Sequence, residues 1–229
     1  MIESVNVIGA RGRVGGAVSA RLAERGVLLG AHGASLVLLC VPDRAIPEVA
    51  AEIEPGPWVA HVSGGTPLTA LEPHVRRFSV HPLQTFTRER GPEQLDGAWA
   101  AVTGETDEAR AVATELAETL GLQPFPLEDE RRALYHAGAA IASNYLVTLR
   151  RAAGELLADA SVPPDALDPL MRRVIDNGFE LTGPIERGDW GTVERHRQAI
   201  AEHAPHLLAA YDELARLTAG DAVSLGSAS

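Results

Sequence analysis

Gly9, Gly12 and Gly15, in the string Gly9-Ala-Arg-Gly12-Arg-Val-Gly15-Gly16, are the residues whose type and spacing most directly suggest chemistry. A glycine bend between a strand and a helix lets the backbone approach a diphosphate. Free N–H groups and the positive end of the helix dipole then meet its charge. The spacing is longer than Gly-x-Gly-x-x-Gly by one residue, Arg11. A plain strand-to-helix turn, or a site for another nucleotide such as S-adenosylmethionine, uses the same glycines, and the flanking strand and helix favour a dinucleotide. Gly9, Arg11, Gly12, Arg13, Val14 and Gly15 are the expected cofactor contacts, with Arg21 grouped near the same loop. No carboxylate stands between Glu24 and Asp43, where an acid for the adenosine ribose is expected. Arg11 or Arg13 on a 2'-phosphate favours NADP, with NAD as the other choice. The rival reading is an adenosine site too reduced to bind either.

Three further strand ends carry polar or turn-forming residues: Cys40-Val41-Pro42-Asp43, Ser63-Gly64-Gly65 and His81-Pro82-Leu83-Gln84. In an open parallel sheet, ligands bind outside the carboxyl ends of the strands, so Val41, Pro42, Ser63 and His81 join the candidate cofactor site. Each also reads as a helix start, a turn or a strand terminator. Farther on, His136, Ala140 and Asn144 stand at i, i+4 and i+8 and project from roughly one helix face. A histidine can exchange the proton when a carbonyl is reduced, and an asparagine amide can hold the substrate oxygen. His136 and Asn144 are therefore the candidate catalytic pair, against the alternative of a solvated histidine and a backbone-bonded asparagine. The stretch from Thr182 to His196 reads either as a connector whose Asp189 or Thr192 caps the next helix or as a loop bringing Thr182, Glu194 and His196 to a substrate. No residue set suggests a metal.

These residues need elements to position them. Apolar runs at residues 4–8, 35–41, 58–62, 77–80 and 98–102 read as strands, and helical spacing appears at 14–25 and 44–53, the latter with Asp43 as its N-cap. Alternating strands and helices predict an α/β fold: a Rossmann-type parallel sheet over residues 1–127, followed by an all-helical C-terminal domain over 128–229. The helices expected there run from about Asp129 to Leu157, from Pro163 to Leu181, from Trp190 to His203 and from Pro205 to Thr218. The tail from Gly220 to Ser229 is small and polar and is expected to pack loosely. With 20 Lys plus Arg against 31 Asp plus Glu, the net charge of -11 opposes binding to nucleic acid or anionic membrane. Cys40 is the only cysteine, so no internal disulfide forms. The start, with Glu3 running straight into the glycine loop, lacks the pattern of a signal peptide, and a cytoplasmic location is expected.

The strings Val7-Ile-Gly-Ala, Gly12-Arg-Val-Gly15, Val41-Pro-Asp43, His81-Pro-Leu83, Ala142-Ser-Asn-Tyr-Leu146, Leu181-Thr-Gly-Pro-Ile185 and Arg187-Gly-Asp189 resemble bacterial proteins of the 6-phosphogluconate dehydrogenase-like superfamily. Those proteins pair a Rossmann-like domain with a helical domain of unassigned function. The resemblance implies an NAD(P)-dependent reductase of a small carbonyl substrate such as a 2-oxo acid, laid out like ketopantoate reductase. It also implies a homodimer paired through the long helix. In ketopantoate reductases a lysine four residues before a helix asparagine does acid-base work. Here that position is Ala140, and His136 one turn earlier is expected in its place, with Thr182 and Glu194 toward the substrate. The alternative is a nucleotide-sensing or structural homodimer that no longer turns over.

Overall fold

The computed structural model describes residues 2–30 and 32–220. The chain forms two compact units, Met1–Ser143 and Asn144–Ser229. The first unit opens with strand β1 (Ser4–Ile8), helix α1 (Arg13–Glu24), β2 (Leu28–Leu29) and β3 (Leu36–Leu39). It continues with α2 (Ile46–Ala51), β4 (Trp58–His61), β5 (Arg77–Pro82) and β6 (Trp99–Gly104). Helix α3 (Asp107–Thr119), β7 (Gln123–Pro126) and α4 (Arg132–Ala140) complete it.

The strands form one seven-stranded sheet in the order β2-β1-β3-β4-β5-β6-β7. β3 and β4 are buried at every residue, as a parallel sheet covered on both faces requires. Val18 and Leu22 of α1 and Ala113 and Leu116 of α3 join Val5, Leu36, Leu38, Phe78 and Val80 in the larger core. Val37, Leu39 and Val59 point to the other face and meet Ile46, Ala50, Leu68 and Leu71. In α3, the Thr106 side chain accepts from Ala109 N, with Asp107 and Glu108 in the first turn, where both satisfy the helix's N-terminal charge. The parallel register sets Ile8 beside Leu39, Leu39 beside His61 and His61 beside Ser79. The carboxyl ends of β1, β3, β4 and β5 therefore lie along one edge.

Several expectations need correction. β5 and β6 are antiparallel, so the sheet is parallel except at that pair. β7 was not foreseen, because Pro124 and Pro126 argue against a strand. It is an outer strand, where a proline leaves no ladder bond unmade on its open side. Asp43 does not cap α2: it begins a 3-10 turn, Asp43–Ala45, with no side-chain cap bond. The division between units falls after Ser143, beyond the boundary expected near Leu127, because α4 is anchored to the sheet through buried Arg132. The single long helix expected from Asp129 to Leu157 is α4, a π-helical turn (Ile141–Tyr145) and α5 (Leu146–Asp159). The Ser143 hydroxyl donates to Ala139 O at 2.7 Å, giving a partner to a carbonyl beside the widened turn.

The second unit holds α5, α6 (Leu167–Asp176), α7 (Trp190–His203) and α8 (Leu208–Ala219). α6 stops at Asp176 rather than near Leu181, and Gly178 follows it at φ +69. Arg150 bonds Asp165 and Asp168, joining α5 to the start of α6. Arg197 bonds Asp212 between α7 and α8. Asp189 caps α7 by accepting from Thr192 N, as one reading of that connector expected. Residues 221–229, which make up most of the expected loose tail, lie outside the described residues. Among the described residues, no helix is long and apolar enough to cross a membrane.

Candidate functional site

The glycine bend is built by close backbone approach. Gly9 has φ +94, and a Cβ there would sit 2.4 Å from Cys40 O. A Cβ on Gly15 would sit 2.2 Å from Gly9 O. Neither position tolerates a side chain, so these two glycines set β1, β3 and α1 against one another. Gly12 N donates to Gly9 O at 2.8 Å, and Gly12 precedes α1 in extended conformation. No side chain caps α1, and its first turn carries no acid. Its leading N–H groups thus keep the positive helix end open beside exposed Arg11 and Arg13. Arg21 does not belong to this loop. It is buried and bonds Leu120 O and Pro92 O, with Glu24 and Asp96 as ion-pair partners, so it ties α1 to the far side of its own unit. β2 pairs only with Ser4 and Val5 and stops three residues below Ile8, about 10 Å at the rise of a strand. β2 itself carries no acid to set beside the glycine bend.

The carboxyl ends of β4 and β5 hold a group of rings. His61 is fully buried. Its Nδ1 accepts from Ser63 N at 3.2 Å, and its Nε2 has no hydrogen-bond partner among the described residues. Burial first, and the Arg132 guanidinium second, push its pKa down to about 3, with a weaker opposing pull from the Pro67 carbonyl. Ser63 closes the turn after β4: its hydroxyl donates to Thr66 Oγ1 and accepts from Gly65 N and Thr66 N. His81 Nδ1 lies 2.7 Å from the Tyr135 hydroxyl. Burial, then His136 and Arg132, lower His81 to about 4, while Asp43 opposes the shift. The exposed His136 ring stands nearly perpendicular to that of His81, with centroids 5.9 Å apart.

Arg132 holds this arrangement. It is 1% exposed and donates to Ser63 O at 3.1 Å, Ser79 Oγ at 2.5 Å and Asp129 Oδ1 at 3.0 Å. The other oxygen of Asp129 accepts from Leu68 N. A buried charge survives only when paired and bonded in this way. Three and four residues farther along α4, Tyr135 therefore lies against His81 and His136 over the Gly64-Gly65 turn. A Cβ on Gly64 would lie 2.7 Å from His136 Cδ2 and 2.8 Å from both Cε1 and Nε2 of His81, so two imidazole rings converge closely on Gly64.

The first unit thus brings Ser63, His81 and His136 together, while Gly9 to Gly15, Val41 and Pro42 lie at the ends of β1 and β3 on the same edge. Asn144, Thr182 and Glu194 belong to the second unit. Asn144 is exposed within the π turn. The Thr182 carbonyl accepts from Arg187 Nη1, and Glu194 accepts from Arg197 and Gln198. His196 bonds the Tyr211 hydroxyl at 2.9 Å. Sequence reasoning missed His61, Arg132 and Tyr135. The available signal was an arginine and a tyrosine just ahead of His136, at the start of a helix otherwise rich in small residues. Among the described residues, no group of three or more His, Cys, Asp or Glu side chains is placed to hold a metal.

The sheet order, the glycine bend and the helical second unit define a Rossmann-type domain joined to a helical unit. The chain belongs to the family described as a domain of unknown function (DUF2520), which matches residues 98–218, just over half of its length. It is similar over 96% of its length to a candidate NADP oxidoreductase of Bacteroides fragilis, at 22% identity and a TM-score of 0.78, covering 99% of that chain. A protein of Thermotoga maritima is 26% identical with a TM-score of 0.76, the match covering 93% of this chain and 96% of that one. A semialdehyde dehydrogenase NAD-binding protein of Cupriavidus necator, solved with calcium and NAD, is 20% identical with a TM-score of 0.60, covering 93% and 99%. These likenesses establish the Rossmann fold. No curated protein matches the chain.

Proposed function

We propose that the protein is an NADP-dependent reductase of a small carbonyl compound such as a 2-oxo acid. The observation that carries this reading is the strand register, which gathers an uncapped glycine bend and a cluster of imidazoles on one carboxyl edge of the sheet. That edge is where ligands bind in open α/β sheets. The residues present fit a diphosphate: Gly9 and Gly15 remove the side chains that would obstruct the bend, and the open first turn of α1 supplies N–H donors. With no acid at the end of β2 and with Arg11 and Arg13 exposed beside the bend, the charge balance favours NADP over NAD.

When bound, the cofactor supplies the hydride. The chain's own contribution is to hold the diphosphate at residues 9–15, to line the edge with Val41, Pro42 and Ser63, and to deliver a proton from the exposed His136 as the carbonyl is reduced. A second reading, a nucleotide-binding protein without turnover, rests on the two-residue β2, which leaves the adenosine side short of wall. A fluorescence titration with NADPH and NADH tests the cofactor, and saturable binding of neither removes both readings. A panel of 2-oxo acids and imines, ketopantoate first, then separates the two through loss of reduced-nicotinamide absorbance. His136→Ala is expected to lose turnover and keep NADPH binding, and an unaltered rate would take His136 out of the mechanism. We also infer a homodimer, supported by the large apolar side chains that the helical unit leaves in solvent, among them Leu170 at 60%, Phe179 at 69% and Leu217 at 62% exposure.

A further inference from the structure

The residue whose side chain bonds directly to a ring of the imidazole cluster is Tyr135. Its hydroxyl lies 2.7 Å from His81 Nδ1, with the two rings edge to face at 5.5 Å. Phe125 packs edge to face with the tyrosine ring, centroids 5.9 Å apart, which restrains the phenol. In a neutral histidine, the partner of one nitrogen decides which nitrogen carries the proton. A phenol is a better donor than acceptor, because its oxygen lone pair is drawn into the ring, whereas the bare nitrogen of an imidazole is a strong acceptor. The bond therefore runs from the Tyr135 O–H to Nδ1. No other hydrogen bond engages the Tyr135 hydroxyl among the described residues. Burial keeps the phenol protonated, raising it to about 12 against a smaller opposing effect of Arg132. The same surroundings keep His81 neutral. The ring's one proton then sits on Nε2, which engages no hydrogen-bond partner among the described residues. Gly64 flanks the Cε1–Nε2 edge of the ring and His136 stands beside it.

We propose that Tyr135 is a positioning residue that fixes His81 in its Nε2–H tautomer, so that the site presents a neutral hydrogen-bond donor next to His136 and selects a substrate offering an acceptor oxygen there. The clause about the substrate rests on the reductase reading, in which that oxygen is the carbonyl being reduced. The clause about the tautomer does not. A neutral imidazole donor stabilises developing negative charge on an oxygen without a buried cation having to be maintained between turnovers. This division of labour leaves proton delivery to the exposed His136 and polarisation of the oxygen to His81.

Nitrogen-15 NMR of histidine-labelled protein at neutral pH reads the tautomer directly, with the His81 signals assigned from a His81→Gln sample. A protonated shift at Nε2 and a lone-pair shift at Nδ1 are expected. In Tyr135→Phe the ratio moves toward Nδ1–H by about fivefold or more, the size of one net hydrogen bond. Nδ1–H in the unaltered protein, or the same ratio in Tyr135→Phe, would overturn the proposal. In turnover assays Tyr135→Phe should lower kcat for the oxo acid with KM for NADPH unchanged, and a raised KM for NADPH at full kcat would count against it. If NADPH does not bind at all, the reductase reading fails, and the NMR result still decides the tautomer.

Discussion

Lowering the pH from about 7 to about 5 should destabilise this protein through His61 before its carboxylates titrate. The ring is fully buried and its folded pKa is about 3, against 6.5 for an exposed histidine. The unfolded chain therefore binds a proton that the folded chain refuses. Stability from this group is fully present above about pH 6.5 and is lost as pH falls toward about 3. Linkage with these two values gives a loss of about 2 kcal/mol at pH 5 and about 3 kcal/mol at pH 4. His81, lowered to about 4, adds a contribution of the same sign that is of similar size at about pH 5 and levels off sooner below it. Urea unfolding of the unaltered protein and of His61→Gln at the two pH values isolates the effect. The variant's absolute stability is immaterial, since the comparison is between slopes. The drop from pH 7 to pH 5 should shrink by about 2 kcal/mol in His61→Gln. Equal drops in the two proteins would refute the reasoning, because they would mean that the buried ring is already protonated or is reached by water.

Two further outcomes follow from the structure. Arg132→Met should lower stability by about 3 kcal/mol or more, because it strips Asp129, the Ser63 carbonyl and the Ser79 hydroxyl of their shared partner in a buried setting; a loss below about 1 kcal/mol in urea unfolding would show that water replaces the guanidinium. Light scattering should return the mass of two chains, and a monomer mass at working concentration would end the homodimer proposal.

The elements legible in the sequence are those written in local periodicity. β3 reads as an unbroken apolar run, and β4 as one broken only by His61, because both faces of a covered parallel sheet exclude water. The glycine bend stood out because Gly9 and Gly15 occupy positions where any side chain would strike backbone. Asp189 was legible as a cap because it acts only three residues away, on Thr192 N. β7 was hidden by Pro124 and Pro126, which argue against a strand unless the strand is known to be outermost. That knowledge comes only from the sheet order.

What the sequence by itself determined is a strand, a glycine bend and a helix at the start, a run of alternating elements after them, and helices at the end, since each depends on neighbours within a turn or a strand's length. What only the tertiary structure decided is which charged and aromatic side chains do which work. Arg21 stands near the glycine loop in sequence, yet it is spent on Leu120 O, 99 residues away. Arg132 shows in the sequence only as an arginine near the start of a helix, yet it reaches Ser63 O across 69 residues and anchors the helix that carries Tyr135 and His136 to the ends of β4 and β5. A buried guanidinium must find every one of its acceptors in the fold; Asp129 is supplied locally, but the Ser63 carbonyl and the Ser79 hydroxyl come from the ends of β4 and β5, which only the sheet brings to the same place.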